Sequence, residues 1–79
     1  MKKALEYIIF QIVDNPEKAE VKEQEDQGMT KFTITVDPSD MGKIIGKNGK
    51  VIRAIRNVIK ISAIKQNIKI NIALSEIPA

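Results

Sequence analysis

Residues 42–52 read Gly-Lys-Ile-Ile-Gly-Lys-Asn-Gly-Lys-Val-Ile, and this stretch decides how the rest of the chain is interpreted. Two glycines three positions apart, Gly46 and Gly49, enclose a Lys-Asn pair and have isoleucines on both sides. Because glycine lacks Cβ, both positions allow another backbone to approach closely and permit unusual dihedral angles. Lys47 and Lys50 add positive charge, and a helix that starts after Gly49 presents free N–H groups to an anion. The stretch therefore predicts a loop suited to a nucleic-acid backbone.

The sequence on either side of this loop alternates between helical and strand periodicity. Apolar residues at helical spacing predict helices, and alternating apolar and polar residues predict strands. The Asp37-Pro38 pair predicts the start of a short helix, with Asp37 as the N-cap and Asp40 favourably placed near the helix dipole. The predicted elements, in chain order, are helix 3–13, strands 20–25 and 31–36, helices 38–45 and 50–65, and strand 68–72.

This order, α-β-β-α-α-β, predicts an α+β domain whose helices cover one face of a three-stranded mixed sheet. The last helix is expected to bury Val51, Ile52, Ile55, Val58, Ile59 and Ser62. The strands are expected to direct Phe32, Ile34, Val36, Ile68, Ile70 and Ile72 towards Ile8, Ile12, Ile55 and Ile59. Ile61 and Ile64 lie beyond what one helix face can bury, which predicts an apolar surface used for association.

The loop resembles the GxxG loop of KH domains, in which an aliphatic residue precedes Gly-x-x-Gly and another follows three positions later. Here these residues are Ile45, the segment 46–49 and Ile52. The longer segment 37–49 is similar to the small bacterial single-domain KH proteins of the KhpA type. The resemblance implies the type II KH fold, with the GxxG loop between the last two helices. It makes residues 1–79 one KH domain, with its GxxG core at 30–73, an N-terminal helix at 3–13 and a short tail at 74–79.

In KH domains the GxxG loop clamps the backbone of about four nucleotides of single-stranded nucleic acid. The resemblance therefore assigns RNA contacts around the loop, where Lys47 and Asn48 would meet phosphate or sugar. Lys43 and Arg53 lie one helical turn away and are either phosphate contacts or solvated charges. Ile45 and Ile52 are expected to be core residues that also form the floor of the groove. The complete predicted site is Gly46, Lys47, Asn48, Gly49, Lys50, Lys43, Arg53, Ile45 and Ile52.

Composition excludes several other kinds of protein. The chain has 79 residues and no histidine or cysteine, so we expect no enzyme, metal site or cofactor. Residues 41–79 contain eight basic side chains and one acidic side chain, whereas residues 1–40 are net acidic. This asymmetry suits a polyanionic partner. Only Tyr7, Phe10 and Phe32 are aromatic, so the sequence lacks the stacking platforms of an RRM. Arg56, Lys60 and Lys65 are expected to be solvent-exposed.

The resemblance implies a single-stranded RNA-binding protein that acts as an RNA chaperone or post-transcriptional regulator. It also implies a homodimer, or a heterodimer with a larger KH-containing protein. Two other functions remain open from the residues: a protein–protein assembly module with a vestigial KH loop, and a single-stranded DNA binder. No signal peptide, membrane span or small-molecule substrate is expected, which predicts a cytoplasmic location.

Overall fold

Three helices and three strands occur in the order that the sequence predicts, in a computed structural model that describes residues 1–76. Two short 3-10 turns, Pro16–Lys18 and Lys47–Gly49, join elements of the fold. The elements are α1 (Lys2–Ile12), β1 (Glu20–Asp26), β2 (Met29–Val36), α2 (Pro38–Ile45), α3 (Lys50–Lys65) and β3 (Lys69–Glu76). The α+β architecture of a type II KH domain is thereby confirmed.

The sheet has the strand order β1-β2-β3 and is mixed, as predicted. β1 and β2 form an antiparallel hairpin in which Val21 pairs with Ile34. β3 arrives through α2 and α3 and pairs parallel to β2, with Phe32 opposite Ile72. A parallel pair needs a long connection of this kind, and here that connection contains the GxxG loop. The loop is therefore held between two helices whose outer ends are fixed by neighbouring strands.

All three helices contribute to one hydrophobic core on one face of the sheet. The sheet supplies every second residue of β2, starting at the fully buried Phe32, because side chains alternate along a strand. The opposite residues, such as Lys31 and Thr33, face away from the helices. The buried core consists of Leu5, Ile9, Val13, Val21, Phe32, Ile34, Val36, Ile44, Ile52, Ile55, Ile59 and Ile72.

The predicted core was wrong at several positions on the helices. Val58 was expected in the buried face of α3 but is 53% exposed, because that face is centred on Ile55 and Ile59. Ile45 was expected in the core, yet it is exposed at the end of α2, where Ile44 takes the buried position. Ile8 and Ile12 are only partly buried, because Leu5 and Ile9 occupy the centre of the α1 contact.

The last strand is longer than the sequence predicts. β3 runs to Glu76, and its register with β2 is continuous from Met29 opposite Lys69 to Val36 opposite Glu76. Residues 74–76, which were predicted to belong to the C-terminal tail, therefore belong to the sheet. The rest of that predicted tail, residues 77–79, lies outside the described residues. The smaller differences in the bounds of α1, β1 and β2 are of one or two residues.

The start of α2 is fixed by two carboxylates with different roles. Asp37 is the N-cap, as predicted, and accepts a hydrogen bond from the backbone N–H of Ser39. Asp40 was expected to act only through the helix dipole, but it is buried. Its carboxylate accepts hydrogen bonds from the backbone N–H groups of Asp14 and Asn15, at 3.1 and 3.0 Å, and from Asn15 Nδ2 at 3.1 Å. Asp40 therefore joins the start of α2 to the turn that follows α1.

These contacts make the stability of the fold dependent on the ionisation of Asp40. Burial by itself raises the pKa of Asp40, but the hydrogen bonds from Asp14 and Asn15 and the charge of Lys43 outweigh it and hold the pKa below its ordinary value. The carboxylate is therefore more acidic in the folded protein than in the unfolded chain. Its contribution to stability is present above the unfolded-state pKa and is lost as the pH falls through the lower, folded-state pKa.

We expect Asp40→Asn to lower the melting temperature at pH 7, because an amide cannot accept from all three donors without placing its own N–H groups against them. The difference from the parent protein should shrink at pH values below the folded-state pKa. Thermal melts followed by circular dichroism at pH 7 and at acidic pH measure this. Asp26→Asn, at an exposed strand end, is the matched control and should leave the melting temperature unchanged. An unchanged melting temperature for Asp40→Asn at pH 7 would contradict the structural role of this carboxylate.

Candidate nucleic-acid interface

The GxxG loop is a tight turn built from left-handed backbone conformations. Gly46 ends α2 with φ 74° and ψ 174°, and Gly49 precedes α3 with φ 72° and ψ 18°. Asn48 also has a positive φ of 56°, a conformation that asparagine accepts more readily than most side chains. Glycine or asparagine therefore stands at each of the three positions with positive φ. The conformation of the turn is determined by these residues themselves and not by distant contacts.

The two glycines of the loop differ in how much space surrounds them. A Cβ on Gly46 would lie 2.8 Å from Val51 Cβ and closer still to Val51 Cγ2, so the turn closes directly against the first turn of α3. A Cβ on Gly49 would meet only Arg53 Nη2, at 3.9 Å, so space remains around this position. Gly46 is needed for packing as well as for its dihedral angles, whereas Gly49 is needed for its dihedral angles and leaves the outer side of the loop open.

The polar side chains of the loop point outward. Lys47, Asn48 and Lys50 are exposed, as the predicted phosphate-binding role requires. Arg53 lies one turn into α3, and its Nη2 donates a hydrogen bond to Asn48 O at 2.9 Å. This bond ties the side chain back to the loop, so Arg53 supports the left-handed turn while its remaining N–H groups stay exposed.

Within residues 1–76, Lys43 is the one predicted site residue that forms an ion pair with a carboxylate. Its Nζ forms an ion pair with Asp14, at the end of α1, and both side chains are substantially exposed. The pair is a surface interaction, so it contributes little to stability. A phosphate would have to compete with Asp14 for this lysine. Lys43 therefore lies beside the loop but turns towards α1.

The two predicted isoleucines occupy different environments. Ile52 is buried beneath the first turn of α3 and belongs to the core. Ile45 is 37% exposed, directly before Gly46. The structure therefore gathers Ile45, the segment 46–50 and Arg53 on the outside of the molecule, with Ile52 beneath them.

A cavity of about 530 Å³ lies between the C-terminal half of α3 and β3. Its wall is mainly apolar and includes Ala63, Ile64, Ile68, Ile70 and Ile72, and its rim carries Arg56, Lys60, Lys69 and Asn71. Arg56 Nη2 donates a hydrogen bond to Ile72 O at 3.3 Å across this cavity.

Arg56, Lys60 and Lys65 are exposed, as predicted. Arg56 and Lys60 also line the cavity, which the sequence did not predict, and they follow Arg53 at intervals of three and four residues. That spacing puts Arg53, Arg56 and Lys60 on one side of the helix, in line with the loop. The position of β3 could not be predicted from the sequence of α3. Because β3 lies beside this side of α3, the helix forms one wall of a cavity.

No group of three or more acidic, histidine or cysteine side chains in residues 1–76 is arranged to hold a metal ion. Among the helices of this part of the chain, none is both long and apolar enough to cross a membrane.

Comparison with known proteins agrees with this geometry. The family model described as the KH domain of KhpA/KhpB matches residues 2–74. The chain belongs to the KhpA/KhpB KH-domain family. It is 38% identical over 76 residues to the RNA-binding protein KhpA of Chlamydia trachomatis serovar D, covering 96% of this chain and 97% of that one. It is 43% identical to the protein of the same name from Clostridium perfringens, over 89% and 93% of the two chains. The corresponding Oceanobacillus iheyensis protein is 39% identical, over the same two shares.

Membership of the KhpA/KhpB family confirms the resemblance inferred from the loop. The match begins in α1 and ends inside β3, so it includes every element that holds the loop and the cavity. The sequence relationship therefore spans the folded domain and is not confined to the glycine-rich segment.

We expect Gly46→Ala to destabilise the domain more than Gly49→Ala. At Gly46 a methyl group must displace Val51 and adopt an unfavourable dihedral region, at a cost of about 2 kcal/mol or more. At Gly49 only the left-handed conformation costs energy, about 1 kcal/mol. Urea denaturation of both variants measures the difference, with Gly42→Ala as a control in open space inside α2. Equal losses for the two loop variants would contradict the distinction between a packed and an open side of the turn.

Proposed function

We propose that this protein binds single-stranded RNA in a groove formed by the GxxG loop and the α3–β3 cavity, and that it acts as an RNA chaperone or post-transcriptional regulator. The observation that carries the proposal is the exposed left-handed turn 46–49 at the start of α3, with Lys47 and Lys50 beside it. The names of the KhpA relatives support it, since each is called an RNA-binding protein. A protein with this role is expected in the bacterial cytoplasm.

The loop provides the contacts to the RNA backbone. Its outer side has no bulky side chain at Gly49, so a sugar–phosphate chain can lie close to the protein backbone. The N–H groups at the start of α3 favour a negative charge there. Lys47 and Lys50 add charge, and Asn48 adds hydrogen-bonding groups. These contacts fix the position of the strand without reading its sequence.

The cavity provides the surface for the bases. Its apolar wall between α3 and β3 can accommodate unstacked bases. Arg56, Lys60 and Lys69 on its rim are placed to contact the polar edges of those bases or the adjoining phosphates. Bases that are already paired in a duplex cannot turn into such a cavity, so single strands should be preferred. No aromatic side chain lines the cavity, which predicts weak stacking and only modest dependence on base identity.

We further propose that the protein acts in pairs, as a homodimer or with a larger KH-containing protein. Val58 and Ile61 leave an apolar strip exposed along α3, and each has more than half of its surface accessible. Ile64, which is equally exposed, lies where this strip meets the cavity wall. One groove holds about four nucleotides, so two linked grooves would raise the affinity for a long strand without new contacts. The inclusion of KhpA and KhpB in one family model is compatible with pairing between such domains.

The loop is the first target for mutation. We expect Lys47→Asp combined with Asn48→Asp to abolish RNA binding, because two carboxylates would face the phosphates. Both residues are exposed, and aspartate tolerates the left-handed conformation at position 48, so the fold should persist within about 0.5 kcal/mol.

RNA titrations beside circular dichroism melts measure both parts of this expectation. Lys3→Asp combined with Gln11→Asp is the matched control, because it makes the same change in net charge on α1, away from the loop. A folded loop variant that binds RNA with its original affinity would refute the proposed groove.

The salt dependence of binding separates RNA recognition from a protein–protein role. Lys47, Lys50 and Arg53 can reach phosphates, and each neutralised phosphate on a single strand contributes a slope of about −0.7 in log K against log salt. We therefore expect a slope of roughly −2 for a short strand and much weaker binding to duplex RNA.

Fluorescence anisotropy with short oligouridylate at several salt concentrations gives this slope. The DNA strand of the same sequence is the natural comparison, because single-stranded DNA is the remaining alternative ligand. Binding that is insensitive to salt, or stronger for duplex RNA, would favour the assembly-module alternative instead.

The apolar strip on α3 predicts self-association. We expect light scattering over a dilution series to show a dimer that Ile61→Lys converts to a monomer, because an ammonium group would be buried in the contact. Lys3→Gln, at an exposed position of α1, is the control and should leave the dimer intact. A parent protein that stays monomeric at high concentration would rule out the homodimer and leave pairing with another KH protein.

A further inference from the structure

The face of the sheet that the helices leave uncovered carries a diagonal row of lysines. Lys22, Lys31 and Lys69 come from β1, β2 and β3, in that order across the sheet. The strand register sets their alignment: Lys22 pairs with Thr33 and Lys31 with Gln24, while on the other side Lys31 pairs with Asn71 and Lys69 with Met29. Paired residues share a face, so the three lysines lie on one face as successive diagonal neighbours, each roughly 7–8 Å from the next.

This row is free of carboxylate partners. Within residues 1–76 none of the three lysines forms an ion pair, and all three are exposed. The two carboxylates on the same face both belong to the β1 edge strand: Glu20 lies two residues from Lys22, and Asp26 lies diagonally opposite Lys31. Neutral side chains flank the row: Met29 and Asn71 between Lys69 and Lys31, and Thr33 and Gln24 between Lys31 and Lys22.

The row also joins the proposed RNA groove at one end. Residues from both faces of β3 line the α3–β3 cavity: Ile70 and Ile72 from the helix-covered face, and Lys69 and Asn71 from the open face. The cavity therefore opens around the edge of β3. A second cavity, lined by Gln27, Gly28, Ile64, Asn67, Ile68 and Lys69, shares Lys69 with the first and extends the depression to the turn between β1 and β2.

We propose that the open face of the sheet is a second RNA-binding surface, on which Lys69, Lys31 and Lys22 contact the phosphates of a single strand that leaves the groove around the edge of β3. This inference rests on the proposed function of the groove and extends it to strands longer than the groove can hold. The contacts are electrostatic, since the face offers lysines, amides and hydroxyls but no aromatic side chain. The surface therefore discriminates by strand length and not by base sequence.

Two oligouridylates separate the groove from this surface: one of about five nucleotides, which fills the groove, and one of about twelve, which extends beyond it. The variant Lys22→Gln/Lys31→Gln should bind the short strand within about twofold of the parent protein, because neither lysine lines the cavity; Lys69 is kept because it lies on the cavity rim. For the long strand we expect its affinity to fall roughly 5- to 30-fold at low salt, and the slope of log K against log salt to become shallower by about 1.4, or 0.7 per lysine.

The matched control is Lys2→Gln/Lys3→Gln, which removes the same charge on α1, away from the sheet face, and should affect neither strand by more than about twofold. A complementary variant, Glu20→Gln/Asp26→Asn, removes the two carboxylates of the face and should strengthen binding of the long strand only. Circular dichroism melts establish that each variant is folded.

The outcomes distinguish this inference from the function on which it rests. If the parent protein fails to bind the short strand, the groove itself is refuted. If the short strand binds but the Lys22→Gln/Lys31→Gln variant keeps its affinity and slope for the long strand, the groove stands and the sheet face is not an RNA surface. A preference for the long strand that survives the double substitution would place the additional contacts on a second groove of a dimer, and it too would overturn the inference.

Discussion

The buried carboxylate of Asp40 is the contact on which the arrangement of the helices depends. It lies in the first turn of α2 and accepts hydrogen bonds from two backbone N–H groups and one side chain of the segment that follows α1. Without it, those N–H groups would be left unpaired at the junction, at a cost in free energy. Because α2 leads directly into the GxxG loop, the orientation of the loop is set by a bond made at the other end of the helix.

The loop and the cavity depend on different kinds of interaction, although they would act on the same strand. The loop is a matter of backbone conformation, with Gly46 closed against Val51 and Asn48 held by Arg53. The cavity is a matter of tertiary packing, because its two walls come from α3 and from a strand that is in place only when it pairs with β2. α3 connects the two, since its first turn supports the loop and its later turns form the wall. A change in the tilt of this helix would therefore alter both parts of the groove together.

Local features of the sequence predicted what is local in the structure. Both ends of α2, the start of α3, the N-cap at Asp37 and the left-handed turn at 46–49 follow from glycine, proline, aspartate and asparagine at particular positions. What depends on long-range contacts was predicted poorly. The burial of Asp40, the pairing of Lys43 with Asp14 and the role of Arg56 involve partners between 16 and 29 positions away. The extent of β3 depends similarly on β2, whose register carries the last strand to Glu76.

The parallel pairing of β2 with β3 links the order of synthesis to the ability to bind. Met29 pairs with Lys69, forty positions later in the chain, so this half of the sheet closes a long loop during folding. Such non-local pairings form slowly compared with helices and hairpins. A nascent chain that has released α1, the β1–β2 hairpin, α2 and the GxxG turn already carries every residue of the loop. It still lacks one wall of the cavity until β3 has left the ribosome and joined the sheet. The GxxG motif is thus synthesised before β3, whereas the cavity beside it forms only when β3 has joined the sheet of this domain.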